Sequence, residues 1–540
     1  ILFKDTNTAF CHSSNRSFKL LEAYALKKKI IRCMDGNSKG ESNKILGGEL
    51  YTLVLDEFKN EFGVDKFNLL SRQLHIKKSV ELPGNNRLMS DFCDELAEIY
   101  KSRNVLFFRA ESREVVEIGR YRKIDKNDKI ESIEYGFVQT SGNRFITLAE
   151  TFIQPWTQIF TKTGQTITVK KSMNQTMANA VLESDIFQKQ IPLITRIFDI
   201  QIPILFQGKL TFPKRGYDKR FGSWLPYNAP QIKPNLYTLE ESKNLIDKIF
   251  EEFCFKDSNV DKTHAIAGFI TPFLRGLFPT FSTRTPVFIY MANRERSGKD
   301  YLAGLTGMLY EGQNTEEPAI SHDERNSNST EEIRKKIMAC LMQGKKRFHS
   351  SNNKGLLNNS IFEGVTTAEV WSDRVLGKST NVTFNNEMDY SLSGNLGIRL
   401  TPDLCNRARI INLHLVDEDA NARKFNNPQL HQWVFNHRSD IISALYKLVE
   451  NWVAKGMPDG SVPFTSFPVW AKICGGIMET CGYQNPCKKD ETAIISLDSE
   501  TEEMKAIFEE CYKQAPCKEI DKEFIQKVVE MNGFIANYDF

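Results

Sequence analysis

The segment from Thr285 to Gly312, TPVFIYMANRERSGKDYLAGLTGMLYEG, restricts what this chain can fold into more than any other stretch. Val287, Phe288, Ile289, Tyr290 and Met291 form an apolar run with β-branched members, which reads as a buried strand. The run breaks into the polar loop Asn293-Arg294-Glu295-Arg296-Ser297, and Gly298-Lys299 follows. A helical pattern of Tyr301, Leu302, Leu305, Met308 and Leu309 then runs to Gly312. Strand, phosphate-sized loop and helix N-terminus with Gly-Lys at the junction is the layout of a P-loop. In that layout loop N–H groups and the helix dipole hold anionic phosphates, and Lys299 reaches the outer ones.

Two positions depart from the pattern GxxxxGK[ST]. Asn293 stands where the first glycine is expected, and Asp300 stands where a hydroxyl would hold Mg²⁺. Asparagine tolerates the left-handed backbone that glycine supplies. Aspartate ligates Mg²⁺ directly but adds negative charge near the phosphates. The nucleotide reading makes Asn293, Arg296, Ser297, Gly298, Lys299, Asp300 and Tyr301 the binding residues, ATP and Mg²⁺ the cofactors, and Asp300 the metal ligand. The competing reading is a strand–turn–helix connection with an incidental Gly-Lys.

The 540 residues imply about three or four domains. A net charge of +3 is too small for whole-molecule attraction to DNA, so any nucleic-acid footprint must be local. The eleven scattered cysteines and the absence of a signal peptide point to reduced thiols in the cytoplasm. No apolar run approaches the ~20 residues of a membrane span. The first residue is isoleucine, so further sequence upstream is expected.

The chain divides into five stretches. Residues 1–45 are an N-terminal fragment and linker, with Cys11, His12 and Cys33, a helical pattern from Phe18 to Ala25, and the polar run Ser38 to Asn43. Those three side chains are candidates for part of a zinc site or for buried free thiols. Residues 46–105 read as a small helical domain, with Leu50, Leu53, Val54, Phe58 and Phe62 and then Met89, Phe92, Leu96 and Tyr100 at helical spacing. The basic stretch Arg72 to Lys78 between them reads as a solvated helix face or a phosphate contact.

Residues 106–235 are β-rich, with a hairpin expected where Phe137–Thr140 and Arg144–Thr147 flank Ser141-Gly142-Asn143. Residues 236–440 begin with a capping box, Thr238 followed by Glu241, and contain a second apolar helix over about His264 to Leu277. A strand over Lys345 to Asn353 ends in Ser-Ser-Asn-Asn where acids would be expected, and its His349 reads as a packed strand histidine. Residues 441–540 are helical, and a winged-helix tail and a plain helical cap are both open.

The order of pieces resembles the AAA+ helicase module of phage and mobile-element replication proteins, related to superfamily 3 and MCM-like helicases and often fused to a primase-polymerase. The resemblance rests on ANRERSGKDYLAG (292–304), WSDRVLGKSTNVTF (371–384), LSGN (392–395) and PDLCNRARIINL (402–413). KRGYDKRFGSW (214–224) and SFPVWAKICGGIMETCGY (466–483) add to it, so that it spans roughly half the chain. It implies an α/β AAA+ P-loop ATPase core preceded by helical and β-rich domains, and a ring, expected as a hexamer, that moves on single-stranded DNA in the cytoplasm of an infected host.

Residue by residue, the resemblance makes Lys299 the β/γ-phosphate ligand and Asn395 the sensor that orients water. It makes Arg407, or else Arg409, the finger reaching a neighbour's ATP, and it places Lys378 and Arg374 on a DNA-gripping β-hairpin. The Walker B acid belongs at or near Ser351, which departs from the family; Asp300 or Asp323 would then substitute. Each assignment has a plain alternative: a capping asparagine, surface ion pairs for the arginines, an ordinary turn lysine. An ATP-binding scaffold without turnover is the second functional reading, and a small-molecule P-loop kinase fits the length and the arginines poorly.

Overall fold

The computed structural model describes residues 2–3, 8–11, 16–19, 77–84, 87–124, 130–162, 164–320, 328–374, 381–395, 398–416, 425–488, 499–516 and 520–532. His12, Cys33, the helical pattern of residues 50–62, the linker after Ser38, Asp323 and Lys378 lie outside these residues, as does the side chain of Cys11. Arg16–Lys19 is a strand paired with Thr8–Cys11, so the helical reading that began at Phe18 does not hold there. The chain separates into two compact units: residues 1–108, 114–117 and 139–193, and residues 109–113, 118–138 and 194–540.

In the first unit, β1 (Lys78–Glu81) pairs in parallel with β2 (Ile153–Phe160), which pairs antiparallel with β3 (Thr166–Lys170). Helix α1 (Met89–Lys101) buries Phe92, Leu96 and Tyr100, the spacing that marks it as helical in the sequence. Tyr100 meets Phe145, Phe152 and Phe187 with ring centroids 5.8, 5.8 and 5.9 Å away. Aromatic pairs at these separations add about 0.5–1.5 kcal/mol each beyond area burial.

The expected hairpin at Ser141-Gly142-Asn143 is instead the start of helix α2 (Gly142–Ala149). Ser141 is its N-cap, its hydroxyl accepting from the Arg144 N–H, and Phe145 and Ala149 fall on one buried face. A serine four residues ahead of apolar residues that are themselves spaced by four is a helix start. The turn-like triplet hid that signal. Helices α3 (Gln175–Glu183) and α4 (Asp185–Gln190) complete the unit.

The second unit is mixed α/β. From Ile194 onward it forms short strands over 196–225, then α5 (Leu239–Phe250), whose Thr238–Glu241 capping box forms as the sequence indicates. Helix α6 (Val260–Ile270) passes into a 3₁₀ turn over Thr271–Leu277. Pro272 sits in the first turn of that segment, where its missing N–H cannot extend the α-helical ladder.

The core is an all-parallel four-stranded sheet of β4 (Val287–Ala292), β5 (Arg347–Asn353), β8 (Asp389–Asn395) and β9 (Ala408–Leu413), in the spatial order β5-β8-β4-β9. Between β4 and β5 the chain forms α7 (Lys299–Tyr310) and α8 (Asn328–Gln343). Between β5 and β8 lies an antiparallel hairpin, β6 (Val370–Arg374) and β7 (Asn381–Asn385). Strand β4 is buried along its whole length, as its apolar run requires. Phe288, Tyr290 and Ala292 pack with α5, α6 and α7; Val287, Ile289 and Met291 pack with Ile333, Ile337 and Leu341 of α8. Full burial of side chains of this size contributes about 1.5–3 kcal/mol each.

At the amino edge of the sheet, buried Arg275 donates to Asp389 Oδ1 at 2.5 Å, to the Thr283 carbonyl at 2.5 Å, and to Met388 O and Thr285 Oγ1 at 3.0 Å. It therefore holds the starts of β4 and β8. Beyond the sheet, α9 (Pro402–Arg407), α10 (Arg438–Ala454), α11 (Pro468–Thr480), α12 (Ser499–Gln514) and α13 (Lys522–Asn532) follow. The last two helices share a small core of Ile507, Cys511, Val528 and Val529.

Candidate functional site

In an open parallel sheet, ligands bind beyond the carboxyl ends of the strands where chain connections diverge. Here that point is β4: the chain leaves it towards β5 and β8 on one side, and β9 returns on the other. The loop from Asn293 to Gly298 occupies this end. Asn293 fixes its base, accepting from the Leu415 N–H at 2.9 Å and donating to the Leu415 carbonyl at 3.0 Å. Arg296 (φ 60°) and Gly298 (φ 92°) are both left-handed. A Cβ at Gly298 would make only ordinary contact with the Phe253 ring, 3.7 Å away, so its glycine answers to the backbone angle and not to crowding. Alternating left- and right-handed residues turn successive N–H groups into a concavity suited to an anion. Helix α7 starts there, with its first-turn N–H groups lacking intrahelical acceptors.

Lys299 is buried, and its Nζ lies 2.6 Å from Asp300 Oδ2. The other oxygen of Asp300 accepts from the Ser393 hydroxyl of β8. This contact ties the loop–helix junction to the neighbouring strand. Ser393 was not singled out in the sequence, although its signal is there. Asp389, Ser391, Ser393 and Asn395 alternate with Tyr390, Leu392 and Gly394, which gives β8 one polar face. Register places Ser391 beside His349 and Ser393 beside Tyr290, on the face that α7 covers.

On β5, His349 Nδ1 lies 2.8 Å from Ser391 Oγ, and its Nε2 is buried with no partner among the described residues. Burial pulls the imidazole well below its ordinary range, and Arg347 and Lys299 add to the effect, so His349 is neutral. Ser351 lies where the β5–β8 register shifts; it is buried, and its N–H donates to the Glu317 carbonyl at 3.3 Å. The end of β5 carries no carboxylate. Asn353 is there instead, donating to Ser350 O at 3.0 Å and Ser393 O at 3.1 Å. Gly394 is required opposite it, because a Cβ would lie 1.8 Å from Ile398 Cδ1.

The remaining expected residues separate into groups. Ser297 turns its hydroxyl back to the Arg294 carbonyl at 2.5 Å. Tyr301 stacks on His431 at 3.7 Å and accepts from the His431 N–H at 3.0 Å, which holds α7 against Leu430–Asn436. Asn395 pairs through its backbone with Ala292 at the carboxyl edge. Arg407 is about a quarter exposed; it pairs with Asp403 at 2.6 Å and donates to Glu363 O at 3.3 Å. Arg409 is fully buried, with its guanidinium 3.6 Å from the Phe464 ring centroid, and burial lowers its pKa to about 10. Solvent reaches Arg407 and not Arg409. Arg374 is exposed at the end of β6, whose Asp373 is held by Arg334 of α8.

Asp300 fits a magnesium ion of the kind that keeps waters and phosphate oxygens as most of its ligands, because such sites need only one or two protein carboxylates. Among the described residues there is no cluster of three or more His, Cys, Asp or Glu able to hold a metal by themselves. No described helix is long and apolar enough to cross a membrane.

No protein-family model matches the chain, and no curated protein matches it. Two solved structures of the NrS-1 C-terminal region, both described as the A form apo structure, align over 79% of this chain and 81% of theirs. Their TM-scores are 0.34 and 0.32, at 11% and 10% identity.

Proposed function

We propose that the second unit contains an ATP- and Mg²⁺-binding P-loop core of the AAA+ type. On this reading it is the motor of a ring-shaped DNA helicase in phage or mobile-element replication. The observation that carries the nucleotide part is the junction of loop 293–298 with α7, where buried Lys299 and partly exposed Asp300 meet Ser393 near the carboxyl ends of β4 and β8. The helicase part rests on the order of sequence blocks and on the β6–β7 hairpin that presents Arg374.

In this mechanism the loop N–H groups and α7 receive the phosphates, and Lys299 neutralises the outer ones. Mg²⁺, when bound, spreads the charge that develops on the transferred phosphoryl oxygens. Asp300 would hold the metal, Ser393 keeps that carboxylate in place, and Asn395 at the end of β8 would orient water. Arg407 completes the site of a neighbouring subunit.

A second reading, an ATP-binding replication scaffold without turnover, is favoured by the lack of any carboxylate at the end of β5. ATP hydrolysis with and without single-stranded DNA, beside Lys299→Ala, decides between the two. DNA-stimulated turnover that disappears in the variant supports the motor. Tight nucleotide binding with background turnover supports the scaffold, and absence of binding removes both.

A further inference from the structure

The geometry points to an ion-pair exchange that makes nucleotide binding by this chain depend on magnesium; it rests on the nucleotide reading of the same site. Lys299 and Asp300 are adjacent in sequence and paired at 2.6 Å, so the lysine that would meet phosphate is engaged by a carboxylate of its own chain. Asp300 is also held in place by the Ser393 hydroxyl on its other oxygen.

A phosphate that arrives alone must take Lys299 from Asp300. It then leaves an uncompensated carboxylate, fixed by Ser393, beside phosphate oxygens of the same sign. Both costs oppose binding. When the phosphate arrives with a divalent cation, the two partners are exchanged together: Lys299 passes to phosphate and Asp300 passes to the metal. No charge is left unpaired. A serine or threonine at position 300 has no such coupling, because a hydroxyl neither engages the lysine as a counter-ion nor repels phosphate. The departure from the P-loop pattern at this position therefore makes a lock: neither nucleotide nor metal opens the pair well alone.

The competing account is that Asp300 is a first-turn acid that favours the α7 dipole and forms a partly exposed ion pair of little consequence. That account predicts no special metal dependence. The two are separated by titrating a fluorescent ATP analogue onto the full chain in excess Mg²⁺ and in EDTA, for the wild type, Asp300→Ser, Asp300→Asn and Lys299→Ala. EDTA is expected to weaken wild-type binding roughly 30-fold or more. Both Asp300 variants are expected to lose most of the wild type's Mg²⁺ dependence. Asp300→Asn is expected to bind in EDTA to within about threefold of its affinity in Mg²⁺, and Asp300→Ser, whose hydroxyl still reaches the metal, to keep part of that dependence. Lys299→Ala is expected to be weak in both.

Equal wild-type affinity in Mg²⁺ and EDTA overturns the exchange while leaving the nucleotide site intact, and that comparison needs no variant to fold. An undiminished Mg²⁺ dependence in both Asp300 variants overturns it as well. Absence of binding by the wild type in Mg²⁺ overturns the nucleotide reading itself, and the exchange with it.

Discussion

Glu387 lies just ahead of β8, buried between Arg196 at 3.0 Å and Lys346 at 2.6 Å. Burial alone would raise its carboxyl, but Lys346 and Arg196 outweigh burial and hold it down at about 2. A depressed folded-state pKa gives stability that is complete above the unfolded value near 4.5 and lost as pH falls towards 2. Glu387→Gln is expected to cost about 2–3 kcal/mol at pH 7, because two partly buried cations lose their counter-charge, and to flatten the acid limb of the unfolding curve. Asp199 behaves oppositely. It lines a cavity of about 60 Å³ with Tyr310 and Glu311; burial pushes its carboxyl up to about 7, Glu311 adds to this, and Arg438 opposes it. A raised folded-state pKa means stability is complete below the unfolded value near 3.8 and lost as pH rises through 7. Asp199→Asn is therefore expected to raise the melting temperature at pH 8 and leave it nearly unchanged at pH 4; the opposite order in calorimetry would refute the assignment.

Elements show how far local pattern carries. The β4–loop–α7 layout, the Thr238 cap and the polar alternation along β8 were all legible, because each is written within a dozen residues and enforced by burial or by one hydrogen bond. Thr238→Ala is expected to cost about 1 kcal/mol, read by chemical denaturation, since it removes the acceptor for the Glu241 N–H. Where two local signals compete, the sequence misleads: Ser-Gly-Asn reads as a turn, yet Ser141 caps a helix. Strand order is not local at all. That β8 and not β5 lies beside β4, and so brings Ser393 to Asp300, is decided by tertiary packing between segments about 90 residues apart. The burial of Arg409 is not local either. Its neighbour Phe464 comes from a distant segment, and only the assembled core shows that its guanidinium is enclosed. For the β6–β7 hairpin, Arg374→Ala is expected to weaken single-stranded DNA binding evenly across sequences and to reduce its salt slope by about one. An unchanged slope would remove the hairpin from the DNA path.

At the scale of the whole molecule, a near-neutral net charge of +3 would confine any attraction to DNA to local surfaces. A ring would add what one chain lacks, a cation from a neighbour. Arg407→Ala is expected to bind the ATP analogue like the wild type and to lose turnover at least about 100-fold. Mixed with Lys299→Ala, it should regain part of that turnover, because mixed rings contain interfaces with both residues intact. Failure of every mixture to regain activity would argue against sharing between subunits. The clamp at Arg275 has a consequence for such a motor. By gripping Asp389 and the carbonyls of Thr283 and Met388, it joins β4 and β8 at one edge, while the opposite edge bears the loop and Ser393. The two strands are also paired along their length, from Phe288 beside Ser391 to Ala292 beside Asn395, so they form one plank pinned at its base. Pressure at the loop end cannot be relieved by one strand sliding past the other, and both must tilt together.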